Sequence, residues 1–237
     1  MPAPVPPAES LAGRVALVPG AIRGIGLEIA LLLAREGCRL VLNYHDWEED
    51  LPAMKERLAA VSAEYLLFKT DLRDTDAAAK MVARGAAHFD RLDILVNNIE
   101  RGGMPVVHGA YVPEQWDLEQ ETTLRAKQWI FTAALPFLKA SGNGNVINIS
   151  SISGEIGRLG PASLLFNEGY SAANRGIRLL TETWARLGAP DVRGDEAARA
   201  ARFLLTDALY MTGALLRLDG GCLLGGEPVH PLPEGVV

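Results

Sequence analysis

The sequence predicts an α/β protein in which helices cover both faces of one parallel sheet. Short apolar segments alternate with longer amphipathic segments along most of the 237 residues, as in proteins that alternate strands with helices. The short segments are apolar throughout, which is typical of parallel strands buried on both faces. Together these two observations predict a doubly wound parallel sheet in a structure of three layers.

Individual segments support this fold class in chain order. The predicted strands are RVALV from Arg14, RLVLN from Arg39, EYLLFK from Glu64, LDILVNN from Leu92, NVINIS from Asn145 and ALLRLD from Ala214. The predicted helices cover residues 24–36, 49–62, 74–88, 114–139, 169–187 and 195–205. After Leu187 the segment GAPDVRGD leads directly into another helix, with no strand between them. We therefore expect the strand order 3-2-1-4-5, with the last strand either pairing with the fifth or leaving an open edge.

Composition and charge exclude several classes of function. The formal net charge of −6 provides no basic surface for nucleic acid or anionic lipid. No apolar run is long enough to span a bilayer, and the N-terminal segment MPAPVPPAES lacks the features of a secretory signal. Cys38 and Cys222 have no metal-ligand neighbours in sequence, which indicates buried thiols in a reducing compartment and no metal site. We expect a cytoplasmic protein with a disordered arm over 1–10, one domain over 11–223 and a tail over 224–237.

A glycine-rich turn, PGAIRGIGLEIA, joins the first strand to the first helix. Gly20, Gly24 and Gly26 would let the backbone approach a pyrophosphate, whose charge the helix N-terminus stabilises. Taken alone, the motif is equally compatible with an ordinary tight turn.

Five motifs in one order make the assignment more specific. They are GAIRGIG after the first strand, DILVNN at the fourth, NVINISS at the fifth, YSAAN on the next helix and LRLDGG near the end. In this order, from about Leu11 to Gly221, the chain resembles the short-chain dehydrogenases/reductases. The resemblance implies a Rossmann-type fold, here with one strand fewer than usual, and hydride transfer between a nicotinamide dinucleotide and a small carbonyl or alcohol substrate. It also implies a homodimer or homotetramer in which the helices beginning near Glu114 and Gly169 pack across a two-fold axis.

The resemblance assigns a set of residues to the dinucleotide. They are Gly20, Ile22, Arg23, Gly24, Ile25 and Gly26 at the first turn, Tyr44 and His45 after the second strand, Asp71 and Leu72 beside the adenine, and Asn98 and Ile99 at the fourth strand. NAD is usually recognised by an acidic residue that binds the ribose 2′-hydroxyl after the second strand. Tyr44 and His45 occupy that place and, with Arg23, would accommodate a 2′-phosphate, so NADP is expected rather than NAD. Asp46 turned inward would favour NAD instead.

The resemblance also assigns residues to the chemistry. Ser151 would polarise the substrate carbonyl, and Tyr170 would give or take the proton. Thr123 stands where the family has an asparagine of its proton relay, and Asn174 stands where it has a lysine that holds the nicotinamide ribose and lowers the pKa of the tyrosine. An amide can bind a ribose hydroxyl but carries no charge. A unit charge about 4 Å away, at an effective dielectric of about 20, is worth roughly 4 kcal/mol.

Loss of that charge affects the two directions of the reaction unequally. Alcohol oxidation needs a base and suffers most, whereas carbonyl reduction needs an acid, which a protonated Tyr170 still provides. Arg175 does not replace the lysine, because five positions along a helix point well away from Tyr170. If only the charge is missing, Asn174→Lys should raise reductase activity and move its pH optimum toward neutrality.

Further departures from the family pattern leave two functions open. Glu100 replaces the glycine of the NNAG motif, Pro19 replaces the threonine before Gly20, and the family's sixth strand and substrate lid have no counterpart over residues 190–195. One hypothesis is an NADP-dependent reductase that keeps Ser151 and Tyr170. The other is a catalytically impaired pseudoenzyme that keeps the fold as a nucleotide-binding or structural subunit.

Overall fold

A computed structural model describes residues 11–100, 112–142, 144–151, 153–156 and 168–188. Leu11–Thr181 form one compact unit, and the residues from Glu182 onward fall in a second unit together with Met1–Ser10. The predicted helix over 195–205 and the predicted strand from Ala214 lie outside the described residues. The division into arm, single domain and tail therefore stays a prediction.

Five strands form the sheet of the first unit. They are β1 (Val15–Val18), β2 (Arg39–Tyr44), β3 (Tyr65–Lys69), β4 (Ile94–Asn97) and β5 (Asn145–Asn148). Their order is β3-β2-β1-β4-β5, and all four pairings are parallel. The predicted order of the first five strands is confirmed.

Helices follow each of these strands. They are α1 (Gly24–Arg35), α2 (Leu51–Ala60), α3 (Thr75–Phe89), α4 (Pro113–Glu119), α5 (Ala126–Ala140), α6 (Ser153–Ile156) and α7 (Glu168–Gly188). A 3₁₀ turn, Glu48–Asp50, precedes α2, and a π-helical turn, Gln120–Arg125, joins α4 to α5. The expected regular helix over 114–139 is therefore wrong in its middle, where the wider turn lies. Such turns are rare and often occur at functional sites.

Both faces of the central strands are buried, because helices pack on each side. One core cluster joins α1 and α2 to alternate residues of the sheet, and it includes Ala16, Val18, Leu31, Leu40, Leu42, Met54 and Leu58. On the opposite face, a Cβ atom added at Gly85 of α3 would lie 2.6 Å from the Val41 side chain, so α3 packs directly on β2. The central strands are apolar throughout because both of their faces are buried, as expected, and the three layers are confirmed.

One buried carboxylate ties β1 and β4 together at the amino-terminal edge of the sheet. Asp93, immediately before β4, accepts a hydrogen bond from the Val15 backbone N–H at 2.8 Å. The Arg91 guanidinium donates to both carboxylate oxygens at 2.7 Å. Burial alone raises the pKa of Asp93, but the hydrogen bonds from Arg91 and Val15 outweigh it and hold this pKa below its ordinary value. The carboxylate is therefore ionised and fixed in place at neutral pH.

Candidate active site

The predicted site residues lie along the carboxyl-terminal edge of the sheet. Parallel strands end at a common edge, and ligands of such folds bind in the crevice outside it. The residues that follow successive strands there are Gly20 after β1, His45 after β2, Asp71 after β3, Asn98 and Glu100 after β4, and Ser151 after β5. One edge thus carries both the predicted nucleotide residues and part of the predicted catalytic set.

The glycine-rich turn is closed by packing that only glycine permits. A Cβ atom at Gly26 would lie 2.4 Å from both the Gly20 carbonyl oxygen and the Asn98 side-chain nitrogen. The same Asn98 nitrogen donates a hydrogen bond to the Gly20 oxygen at 3.2 Å, and Gly20 has a φ of 66°. The turn therefore requires glycine at Gly20 and Gly26, and Asn98 holds it in place.

The outer side of the same turn is open and fits a pyrophosphate. Among the residues that the structure describes, a Cβ atom at Gly24 would meet no atom within 4 Å, so there is open space beside the backbone where α1 begins. Arg23, the residue before α1, makes no side-chain hydrogen bond that caps the helix. An exposed backbone at a helix N-terminus offers N–H groups and a partial positive charge to an anion. The residues present therefore fit the pyrophosphate of a nicotinamide dinucleotide.

Arg23 lies beside the predicted position of the adenosine ribose and has two partners there. Its guanidinium carbon lies 4.4 Å from the centre of the Trp47 ring, in a cation–π contact. Its Nη1 atom lies 3.1 Å from an Asp50 carboxylate oxygen. Arg23 is thus held at this corner, but its charge is partly neutralised by Asp50.

His45 has a similar acidic environment. Its Nε2 atom lies 3.7 Å from carboxylate oxygens of both Asp46 and Asp71. Asp71 is also bound by Arg73, whose guanidinium lowers the pKa of that carboxyl. Carboxylates therefore lie beside both of the residues expected to receive a 2′-phosphate.

The remaining predicted nucleotide residues divide by exposure. Ile25 is 62% exposed at the start of α1, whereas Ile22 and Leu72 are 5% and 6% exposed and belong to the core. Tyr44 and Ile99 are half-buried. Ile25 thus presents an apolar side chain beside the turn, and any contact of Ile22 or Leu72 with a nucleotide involves their backbone.

Tyr170 lies near the start of α7, and its side chain points into the protein. The residue is 6% exposed, and its hydroxyl donates a short hydrogen bond to the Glu100 carboxylate. Burial, and then the negative charge of Glu100, raise the pKa of Tyr170 well above its ordinary value, and hydrogen bonds with Ser151 and Asn174 only partly oppose this. Tyr170 therefore keeps its proton at neutral pH.

Ser151 contacts both this tyrosine and the neighbouring helix. Its side-chain oxygen accepts a hydrogen bond from the Ser153 backbone N–H at 3.2 Å, at the start of α6. Its hydroxyl also hydrogen-bonds to Tyr170, and this bond lowers the pKa of the tyrosine. Ser151 thus stabilises a turn and at the same time lies beside Tyr170, as the two predicted catalytic positions require.

Both the nitrogen and the oxygen of the Asn174 side-chain amide form hydrogen bonds within the protein. It is fully buried, and its Nδ2 atom donates to the Tyr170 carbonyl oxygen at 3.1 Å. Its Oδ1 atom accepts a hydrogen bond from the Ser150 hydroxyl at 3.0 Å. Asn174 has no exposed surface, and its amide holds α7 against the segment after β5 in this structure, so its contact with a ribose hydroxyl stays a prediction.

Thr123 lies in the π-helical turn and is fully buried. Its hydroxyl has no hydrogen-bond partner in the part of the chain that the structure describes. A buried polar group without a partner is costly and is commonly satisfied by a water molecule. In the same turn, the Gln120 side chain donates to the Gly169 carbonyl oxygen at 2.8 Å and thereby ties the turn to the start of α7.

Sequence reasoning missed Lys127, which lies at the centre of the site. Lys127 is fully buried, with its ammonium nitrogen 3.2 Å from a Glu100 carboxylate oxygen and 2.5 Å from the Ile149 carbonyl oxygen. Burial lowers the pKa of Lys127, although the Glu100 carboxylate opposes this. The one sequence signal was its position four residues after Thr123, which favours a place on the same side of the helix.

Two kinds of feature are absent from the described residues. Across the ranges from Leu11 to Gly188 that the structure describes, no group of three or more His, Cys, Asp or Glu side chains could hold a metal ion. None of the helices described above is both long and apolar enough to cross a membrane.

Comparisons with known proteins agree with this geometry. The family model for short chain dehydrogenases matches residues 14–193. The chain is 32% identical to cis-4-hydroxycyclohexanecarboxylate dehydrogenase of Sinomonas cyclohexanicum, over 90% of this chain and 98% of that protein. It is also 32% identical to the 3-oxoacyl-(acyl-carrier-protein) reductase FabG of Staphylococcus aureus, over 73% of this chain and 68% of that protein.

Solved structures show the same relationship. A short chain dehydrogenase from Mycobacterium paratuberculosis bound to NAD superposes with a TM-score of 0.65 and 26% identity, over 75% of this chain and 68% of that one. The family model covers well over half of the sequence, and the motifs that it matches are the ones that form the edge described above. This chain belongs to the short-chain dehydrogenase/reductase family.

Proposed function

We propose that the protein is an NADP(H)-dependent reductase of a small carbonyl compound, in which Tyr170 donates the proton and Ser151 polarises the carbonyl oxygen. The observation that carries this proposal is the buried Tyr170 hydroxyl beside Ser151, which stays protonated at neutral pH. Reduction of a carbonyl needs an acid at the developing alkoxide, whereas oxidation of an alcohol needs a base. The site supports the reductive direction.

Different residues of the chain would bind the cofactor and activate the carbonyl group. NADPH, when bound, supplies the hydride to the carbonyl carbon. The open turn at Gly24 and the N-terminus of α1 would hold its pyrophosphate, and Asn98 keeps that turn in shape. The Ser151 hydroxyl would donate a hydrogen bond to the carbonyl oxygen, and Tyr170 would transfer its proton to the same oxygen as negative charge develops there.

Preference for NADP over NAD is the finer part of the proposal. Arg23, held over the Trp47 ring, and His45, after β2, are the residues that support a 2′-phosphate. Asp50 and Asp71 lie against these two residues and would repel that phosphate. We therefore expect the preference for NADPH to be modest.

A second candidate is the catalytically impaired subunit that binds a nucleotide without turnover. It is favoured by one observation: the Glu100 carboxylate occupies the hydrogen bond of the Tyr170 hydroxyl that a substrate would need. The reductase is preferred because Ser151 and Tyr170 remain adjacent, which a subunit that only binds nucleotide does not need.

Binding and turnover measurements on the pure protein separate these two candidates. Calorimetry should show binding of NADPH at physiological concentrations, with NADH bound more weakly. A panel of dicarbonyl and quinone substrates should then show NADPH oxidation that Tyr170→Phe slows by at least about 10²-fold. Binding without turnover on any panel member would support the impaired subunit, and absence of NADPH binding would overturn the reductase and leave a structural subunit.

A further inference from the structure

A continuous chain of hydrogen-bonded groups leads away from Tyr170 into the protein. The Tyr170 hydroxyl donates to one oxygen of the Glu100 carboxylate, and the other oxygen lies 3.2 Å from the Lys127 ammonium. The three groups come from α7, from the segment after β4 and from α5. They are thus brought together by the fold rather than by closeness in sequence.

This arrangement is costly, and ordinary packing does not account for it. A lysine is almost never fully buried unless it is paired, yet Lys127 has no exposed surface. The Glu100 side chain is 22% exposed and lies where the family has a glycine. Buried ion pairs contribute little net stability, because desolvation offsets their attraction. The pair therefore calls for a role other than stability.

The ionic surroundings of the pair restrict that role. In the described part of the chain, Glu100 is the charged group that shifts the pKa of Lys127. The side chains that shift the pKa of Tyr170 are Glu100, Ser151 and Asn174. The groups facing the pair are thus Tyr170 from α7, and Ser151 and the Ile149 carbonyl from the segment after β5.

We propose that Glu100 and Lys127 form a proton relay that resupplies Tyr170 during carbonyl reduction, in place of the cation that the family carries at the position of Asn174. This inference rests on the proposed reductase function. A relay is needed because a phenolate left beside the Glu100 carboxylate would place two negative charges in contact.

The relay balances in protons and charge. Tyr170 gives its proton to the alkoxide formed by hydride addition, so the product is an alcohol. The Lys127 ammonium then gives a proton to the Glu100 carboxylate at Oε1, and the neutral carboxyl group rotates and gives this proton to the phenolate, so the tyrosine and the carboxylate are restored and the lysine is left neutral. Burial favours this neutral lysine, because it lowers the pKa of the ammonium. Lys127 regains its proton from bulk solvent, so each turnover consumes one proton from solution.

Charge and proton delivery can be separated by two variants at Lys127. Lys127→Arg keeps the positive charge and the hydrogen-bond donors, but a guanidinium does not release its proton. Lys127→Met removes both. Glu100→Gln keeps a hydrogen-bond acceptor for Tyr170 but cannot carry a proton. Matched controls are Glu121→Gln in the π-helical turn, where the exposed carboxylate pairs with Arg125, and Lys139→Arg on the exposed face of α5.

Titration of Tyr170 in the protein without cofactor gives a readout that is independent of turnover. The phenolate absorbance of Tyr170 is obtained as the difference between the wild-type protein and Tyr170→Phe. We expect Tyr170 to stay protonated at a pH where free tyrosine, with a pKa of about 10, ionises. Glu100→Gln should move this ionisation to lower pH, Lys127→Arg should leave it in place, and neither control should move it.

Rates of NADPH-dependent reduction complete the test. The wild-type rate should fall as pH rises through the pKa of Lys127, and Glu100→Gln and Lys127→Arg should each be slower by about tenfold or more. If Lys127→Arg is as fast as wild type while its tyrosine titration is unchanged, the charge and not the proton matters, and the relay is overturned. If Glu100→Gln is faster than wild type, the carboxylate inhibits Tyr170, which also overturns it. A wild-type protein without turnover would remove the proposed function and the relay together, whereas the other two results remove the relay alone.

Discussion

The nucleotide end and the proton-transfer end of the same sheet edge are built in different ways. At the nucleotide end, after β1, the geometry depends on backbone and on missing side chains: Gly20, Gly24 and Gly26 form the turn, and Asn98 closes it. At the proton-transfer end, after β4 and β5, the geometry depends on charged side chains. There the family's glycine and lysine positions hold Glu100 and Asn174, and Lys127 supplies a buried cation.

This difference shows which part of the site constrains the sequence more tightly. A Cβ atom at Gly26 has no space, so the nucleotide end cannot change residue without changing shape. The proton-transfer end tolerates a new carboxylate and a new ammonium because they pair with each other and with Tyr170. Changes at the two ends should therefore separate cofactor binding from the rate of the chemical step.

The largest effect is expected from Ser151→Ala, which removes the donor to the carbonyl oxygen. Loss of one such donor typically lowers kcat by about 10² to 10³-fold. NADPH affinity should not change, because Ser151 lies outside the glycine-rich turn. Steady-state kinetics and calorimetry measure the two quantities. Ser150→Ala is the matched control, since that hydroxyl bonds to Asn174 rather than to Tyr170 among the contacts described. Equal kcat values for Ser151→Ala and wild type would show that the serine acts only as a turn residue.

Asp93→Asn should affect folding stability without affecting either end of the site. The change weakens the bonds to Arg91 and Val15 at the opposite edge of the sheet and should cost about 2 kcal/mol at neutral pH. Because the folded-state pKa of Asp93 is depressed, its stabilisation is present above the unfolded pKa of about 3.9 and is lost as pH falls through the folded pKa. Denaturant unfolding of wild type and variant should therefore converge in acid.

The control for that measurement is Asp90→Asn, three residues earlier on the surface. Asp90 has a φ of 57°, a conformation that asparagine also tolerates, so this change should have little effect on stability. A loss of NADPH binding in Asp93→Asn at unchanged stability would contradict the separation of the two sheet edges.

A smaller change, of about tenfold in the rate of reduction, is expected when the family's residues replace Glu100 and Asn174 at the proton-transfer end. Glu100→Gly alone should slow reduction, and combining it with Asn174→Lys should recover the loss and increase alcohol oxidation. The reason is that a cation replaces an anion beside Tyr170 and lowers its pKa. Asn174→Lys alone should raise the rate of reduction by a smaller factor than the same change made together with Glu100→Gly, because Glu100 remains. The pH dependence of kcat in both directions measures this, and failure of the double variant to exceed Glu100→Gly would show that the charge at Asn174 is not the missing element.

The smallest effect is expected at the nucleotide end, from Arg23→Gln. Because Asp50 already neutralises part of its charge, this change should lower the ratio of NADPH to NADH affinity by only about threefold, the factor expected for an exposed pair worth under 1 kcal/mol. Arg84→Gln, which removes a similar arginine from the Phe68 ring, is the control. Tighter binding of NADPH by Arg23→Gln would show that Arg23 does not contact the 2′-phosphate.

The contrast between the two ends also explains what the sequence could predict. Apolar strands and glycines follow local rules, so the order of the five strands, their parallel pairing and the turn at Gly24 could be derived from pattern and family resemblance. The π-helical turn could not, because one extra residue in a turn leaves the helical apolar pattern nearly intact.

The Glu100 and Lys127 pair was hidden for a different reason. The replacement of glycine by Glu100 was visible in the sequence, but its partner is a lysine on a helix, which is normally a solvent-exposed residue. Only the fold brings these two residues together from positions 27 residues apart. Long-range pairs of buried charges have no local signature, so they were the part of the site that required a structure.

The most direct test of the account compares NADPH-dependent reduction by the wild-type protein and by Tyr170→Phe, together with their NADPH affinities. Tyr170 is protonated and buried beside Ser151, so we predict that wild type reduces at least one carbonyl compound of the panel. Tyr170→Phe should bind NADPH with unchanged affinity and react at least about 10²-fold more slowly, as expected for loss of a general acid. Equal rates for the two proteins would contradict the assignment of Tyr170 as the proton donor.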